Sequence, residues 1–139
     1  MATRNATAVW TGTLKEGKGS MNFSNYSGPF TYLSRFEEGE GTNPEELVGA
    51  AQAGCYSMFL SALISGLKLT PERIQTTATV HLESDEIGPV ISSIDLNCEV
   101  KCDGLSKEKF DELTVAAKGK CPISRLVAAA DIKLTARLL

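Results

Sequence analysis

Residues 41–67, GTNPEELVGAAQAGCYSMFLSALISGL, decide how the rest of the chain must fold. Asn43 can cap a helix, Pro44 suits its first turn, and Glu45 and Glu46 favour the positive end of the helix dipole. No charged residue follows from Leu47 to Leu67. Apolar or small side chains surround the axis, which predicts a long central helix buried on most sides. Its length would also permit a membrane span. Gln52, Ser57, Ser61 and Ser65, the glycines Gly49, Gly54 and Gly66, and the ordinary soluble character of the remainder argue against one. A single thiol, Cys55, sits in the middle of this helix.

On its N-terminal side, ATAVWTG (6–12) has the β-branched and aromatic residues of a strand. KEGKG (15–19) reads as a turn, residues 20–24 as the return strand, and NYSGP (25–29) as a second turn. FTYLSRF (30–36) alternates as a third strand, with Thr31, Leu33 and Arg35 on one face. Arg35 is therefore a candidate inward-pointing charge just ahead of the central helix. On the C-terminal side, IQTTATVHLE (74–83) alternates as a half-buried strand, with His81 on its polar face. A turn at 85–89 leads to a long partner strand at 90–102, which together predict an antiparallel hairpin. Residues 106–118 carry Phe110, Leu113 and Ala117 at helical spacing and end at Gly119. Cys121-Pro122 opens a short helix, and 131–139 closes the chain as a strand. Strands in runs rather than in alternation with helices predict an α+β fold, with antiparallel sheet packed around the buried central helix.

A chain of 139 residues is expected to form a single domain, 1–139. Its net charge of −3 argues against nucleic acid or an anionic membrane as partner. The opening MATRNATAVW lacks an apolar signal core, so a cytoplasmic protein is expected. Four cysteines without a CxxC pair, and one histidine, do not make a zinc site, and no metal or other cofactor is expected. His81, without a second histidine, reads as a surface residue.

The four thiols fall into two groups. Cys98 and Cys102 share a face of one strand about 13 Å apart, too far for a disulfide, and read as core filler. Cys121 precedes a proline that starts a helix, where unsatisfied N–H groups can stabilise a thiolate. Cys55 lies in apolar surroundings that raise its pKa, so a nucleophilic role needs a cation. Arg35 is the candidate, with Glu45 as the carboxylate that would hold its guanidinium. A Cys55–Cys121 redox pair and two unrelated structural thiols both remain open on the residues alone.

The segments SRFEEGEGTNPEELVGAAQAGCYSMFLSALI and AAKGKCPISR closely resemble the osmotically inducible protein C (OsmC) family, sister to the organic hydroperoxide resistance (Ohr) proteins. The resemblance extends from VWTGTLKEGKG to the last strand. It implies an OsmC-like fold, an intertwined homodimer, and a thiol peroxidase that reduces organic hydroperoxides in stress defence at the expense of an external dithiol. By match to the family's motifs, Cys55 would be the peroxidatic and Cys121 the resolving cysteine, with Arg35 and Glu45 completing the site. Arg35 lies in SRFE, directly ahead of TNPEEL, which favours the OsmC branch. Gln52 stands where many relatives carry histidine. Two other classes of function fit the same residues: a binding module for a small apolar or lipid-like ligand, and a thiol redox sensor that oxidises without turnover. The expected helix also sets a geometric condition. Glu45 and Cys55, ten residues apart, would lie about 15 Å apart along the axis and about 80° apart around it. One arginine cannot easily serve both within one chain, whereas an antiparallel second copy brings its own Glu45 end to Cys55.

Overall fold

A computed structural model describes residues 1–139, with the elements β1 (Thr7–Thr11), β2 (Lys18–Phe23), β3 (Tyr26–Phe30), α1 (Tyr32–Phe36), α2 (Pro44–Ser65), β4 (Arg73–Ser84), β5 (Pro89–Lys101), α3 (Lys107–Lys120), α4 (Pro122–Leu126) and β6 (Asp131–Leu138). The fold is α+β, with two three-stranded sheets and one long helix. The chain divides into two compact units, Met1–Leu47 and Val48–Leu139.

The first unit is the antiparallel meander β1-β2-β3 followed by α1 and the first turn of α2. The expected turn at 25–29 is instead strand β3; the reversal takes only Ser24 and Asn25, with Ser24 at φ 46. Phe23 and Tyr26 stack across that turn with ring centroids 4.7 Å apart. The strand expected at 30–36 is replaced by helix α1. Its cause is local: Thr31 accepts from the Ser34 N–H while the Ser34 hydroxyl accepts from the Thr31 N–H, a reciprocal cap. That cap outweighs the alternation, because it satisfies two otherwise orphaned donors in a five-residue helix. Gly41, at φ +114, lets the chain turn so that the Thr42 N–H reaches the Pro29 carbonyl. Asn43 then caps α2 by accepting from the Glu46 N–H at 2.8 Å, and its own amide donates to the Ser34 carbonyl at 3.0 Å.

In the second unit α2 packs on the sheet β4-β5-β6 together with α3. Tyr56, Leu60 and Ile64 from α2, Ile94, Leu96, Cys98 and Val100 from β5, and Phe110, Leu113 and Ala117 from α3 form one core cluster. Strand period puts every second residue of β5 inward, and helix period does the same for every fourth residue of α2. Gly49 allows α2 close to β4, since a Cβ there would stand 3.2 Å from Val80. Strands β4 and β5 form the expected antiparallel hairpin, with a bulge at His81/Leu82. The sheet is not wholly antiparallel, however: β6 pairs with β5 in parallel. Helices α3 and α4 carry the chain back, and that crossover is what a parallel partner requires. Helix α3 also runs through Gly119 to Lys120, past its expected end, and Cys121 caps it. Burial of α2 differs from expectation too. Gly49, Gln52, Tyr56, Leu60 and Ile64 are buried, but only 28% of its most apolar window is. Ala50, Gly54, Met58 and Ala62 form the opposite, exposed stripe.

Candidate active site

Each unit contains one half of the expected residue set. In the second unit, Cys55 from α2 and Cys121 from the α3–α4 junction bring their sulfurs to 2.8 Å. This exceeds the bond length of about 2.05 Å, and both are free thiols. Cys121 is fully buried, whereas Cys55 is partly exposed.

The two sulfurs titrate in opposite directions. Burial pushes the Cys55 thiol up, and its hydrogen bond with Cys121 pushes it further, against the weaker pull of the Ile123 N–H. Burial also opposes ionisation of Cys121. Against it act the hydrogen bond with Cys55, the N–H and hydroxyl of Ser124 and the Ile123 N–H, which together hold Cys121 below the ordinary thiol value. As free thiols, either sulfur can donate across this contact. The local cause of the Cys121 shift is the α4 start. Pro122 occupies the first turn, so the next N–H groups face the cap position, although the neutral thiol makes no cap hydrogen bond of its own.

Two polar side chains sit against this pair. Gln52, one helical turn before Cys55, is fully buried, and its amide Nε2 donates to Ser124 Oγ at 3.2 Å. Its Oε1 is the one buried side-chain polar atom without a partner. Ser124 was not singled out from the sequence. Its signal was its place as the third helical residue after Cys121, where a hydroxyl can turn back toward the cap.

In the first unit, Arg35 at the end of α1 pairs with Glu45 in the first turn of α2. The guanidinium donates from Nη2 to Oε1 at 2.7 Å and from Nε to Oε1 and Oε2 at 3.2 and 3.3 Å. The Arg35 side chain is about a third exposed and Glu45 is 12% exposed. A pair in such a setting contributes roughly 0–1 kcal/mol to folding, so its main effect is to fix the direction of the guanidinium. Arg35 also lines a cavity of about 210 Å³ walled by Trp10, Leu14, Phe30, Tyr32 and Phe36.

The other sequence candidates are accounted for structurally. Cys98 is fully buried beside Tyr56, and burial pushes both groups up. Cys102 is buried just beyond β5, and burial raises its thiol as well. His81 pairs with Asp95 across the β4–β5 hairpin at 2.8 Å.

Comparison with known proteins places this arrangement in context. Residues 37–137 match the family model described as OsmC-like protein. Peroxiredoxin OsmC of Escherichia coli is 42% identical over 127 residues, 88% of this chain and 87% of that one. Organic hydroperoxide resistance protein OhrA of Bacillus subtilis is 30% identical over 86 residues, 62% of this chain and 60% of its own. Among solved structures, an OsmC-like protein from Mycoplasma pneumoniae superposes with a TM-score of 0.78 at 14% identity, covering 99% of this chain and 98% of its own. An OsmC organic hydroperoxide resistance protein from Legionella pneumophila gives 0.70 at 22% identity over the whole of both chains. Family model, close relative and backbone agree from α2 to β6, and the chain belongs to the OsmC-like family.

Proposed function

We propose that this chain is a thiol-dependent peroxidase of stress defence that reduces organic hydroperoxides to alcohols. The observation that carries this reading is the approach of the Cys55 and Cys121 sulfurs to 2.8 Å. The names of its relatives, peroxiredoxin and organic hydroperoxide resistance protein, support the same class. The catalytic group set is Cys55, Cys121, Arg35 and Glu45, acting as one functional domain, with no metal or other cofactor taking part. The setting is the cytoplasm, where four free thiols and a dithiol reductant can coexist.

In the first step the Cys55 thiolate attacks the distal oxygen of the hydroperoxide. An S–O bond forms, the O–O bond breaks, and the alkoxide leaves with a proton as the alcohol. In the second step the Cys121 thiolate attacks the Cys55 sulfenic sulfur. The S–S bond forms, the S–O bond breaks, and hydroxide leaves with a proton as water. An external dithiol then reduces the disulfide by exchange and is itself oxidised.

Within its own unit Cys55 is pushed up, so the first step needs a cation. The Arg35 guanidinium, oriented by Glu45, is the group proposed to supply it. Arg35→Ala is therefore expected to lower turnover about 10²–10³-fold. It should also move the pH profile of Cys55 alkylation upward, and Glu45→Ala should do the same more weakly. An unchanged alkylation profile in Arg35→Ala would remove this role.

The aromatic cavity beside Arg35 favours a hydroperoxide with an apolar tail. At about 210 Å³ it is smaller than the roughly 300–1,000 Å³ of larger ligand sites, and suits a short alkyl chain or a single ring. The same cavity is what a binding module for an apolar ligand would use. A steady-state assay with dithiothreitol separates the readings. Cumene or tert-butyl hydroperoxide should be consumed well ahead of hydrogen peroxide, and one equivalent should leave a Cys55–Cys121 disulfide on peptide mapping. No consumption would favour the binding module, oxidation without turnover a redox sensor, and a Cys98 or Cys102 crosslink would overturn the thiol assignment.

A further inference from the structure

We propose that a cleft between α3, α4 and the start of β6 binds a small metabolite by its phosphate or carboxylate group, held between Lys118 and Arg125. A neighbouring ammonium or hydroxyl of the ligand turns to Asp131. The cleft lies within the second unit and encloses about 340 Å³. That volume falls at the lower end of the roughly 300–1,000 Å³ of small-molecule sites. Lys118, Gly119, Ser124, Arg125, Asp131 and Ile132 are among its walls. Neither Cys55 nor Cys121 lines it, so its occupancy is measurable whatever the thiols do.

Charge is the first reason. From Leu113 to Ala130 the chain has no Asp or Glu. Lys118 and Arg125 form no salt bridge, whereas Lys101, Lys107, Lys109, Lys133 and Arg137 of the same unit each hold a carboxylate. Two cations facing one cleft without a counter-charge repel each other, and an oxyanion between them removes that repulsion. Arginine supplies a planar fork of donors and lysine a compact charge, which together suit an oxyanion. Lys118 is also half-buried, so its charge is less screened than that of a surface lysine. Space is the second reason. Gly119 lies in the last turn of α3, with Cys121 rather than Gly119 as the C-cap. Its φ is outside the positive region, and a Cβ there would meet no atom within 4 Å. Neither backbone nor packing therefore requires glycine, which costs a helix about 1 kcal/mol relative to alanine. What the missing side chain leaves is open cleft. Polar walls are the third. Ser124, 3% exposed, is tied to the Gln52 amide at 3.2 Å and gives one fixed polar wall. Asp131 is only loosely paired, with Lys133 at 3.9 Å, and its carboxylate can accept from a ligand ammonium or hydroxyl.

The test is a heteronuclear NMR titration of the reduced full chain at neutral pH and low salt, with inorganic phosphate, phosphoethanolamine and β-alanine as probes. Phosphoethanolamine or β-alanine should give saturating shifts around Gly119 and Arg125 with a Kd of about 1 mM or below. Saturation by phosphoethanolamine alone assigns a phosphate ligand, and by β-alanine alone a carboxylate; either supports the site. Lys118→Gln and Arg125→Gln should each weaken the better probe about tenfold. Lys120→Gln removes an equal charge from the same segment but lies outside the cleft, and should change affinity by no more than about twofold. Asp131→Asn should tighten inorganic phosphate and weaken the ammonium-bearing probe, each about threefold. Gly119→Leu fills the cleft without altering charge and should abolish saturation in a folded chain. If that variant does not fold, the charge variants decide. No saturation by any probe below about 10 mM would overturn the site. Equal losses in Lys120→Gln and Lys118→Gln would also overturn it, leaving a diffuse basic surface. Asp131→Asn shifting both probes in the same direction would overturn the part given to Asp131.

Discussion

Cys55→Ser is expected to abolish hydroperoxide turnover, by at least about 10⁴-fold, while leaving the fold in place. The chemistry gives the size of the effect. A serine hydroxyl is not ionised at neutral pH, even beside a guanidinium, and its oxygen cannot carry a peroxide oxygen through a sulfenate. The fold should be indifferent, because Cys55 is only partly buried and serine keeps a hydrogen-bonding group opposite Cys121. Its melting temperature should stay within about 5 °C of the parent. Cys121 is the rival nucleophile, since it is the thiol whose environment favours the anion. Access decides against it. Cys121 is fully buried, so a hydroperoxide meets the partly exposed Cys55 first. Cys121→Ser should accordingly still consume one equivalent of hydroperoxide and accumulate a Cys55 sulfenate. Normal turnover in Cys55→Ser, or a first equivalent lost only in Cys121→Ser, would reverse or remove the assignment.

How far the fold could be read from the chain depended on whether its signals were local. The cap of α2 lies within one turn of the helix it starts, and Asn43 was legible as such. The β4–β5 hairpin was legible because alternation and a short turn are adjacent in sequence. The parallel pairing of β6 with β5 was not, since it depends on how two intervening helices carry the chain across. Helix α1 was missed because a five-residue segment can satisfy a strand's alternation and a helix's cap at once, and only the Thr31–Ser34 bonds separate them. The same distinction holds at the thiol pair. Cys55 and Cys121 stand out as residue types in special positions. The Gln52–Ser124 bond joins residues far apart in sequence and left no periodicity behind.

The helix α2 poses the remaining physical question, and its answer is the second large expected effect. It carries no charge from Leu47 onward, yet only 28% of its most apolar window is buried within the chain, and Met58 is 77% exposed. Its exposed stripe of Ala50, Gly54, Met58 and Ala62 is small-sided, which allows a second helix to approach closely. A partner copy of the same helix fits that requirement, and a two-fold axis would lay the two antiparallel. The antiparallel arrangement also meets the geometric condition at the thiols. Glu45 and Cys55 are about 15 Å apart along one helix, but the Glu45 end of the opposite helix comes to the middle of the first. We therefore expect an obligate homodimer in which each site takes Cys55 and Cys121 from one chain and Arg35 with Glu45 from the other. Homodimers of Arg35→Ala and of Cys55→Ser should each be inactive. Mixed dimers of the two should recover up to half of normal turnover, because one of the two sites then holds both an intact thiol pair and an intact Arg35. A site built within a single chain would give no recovery, since each mutant chain would spoil its own site. A mixed dimer verified by mass and still inactive, or a protein that remains monomeric at micromolar concentration, would defeat the shared site.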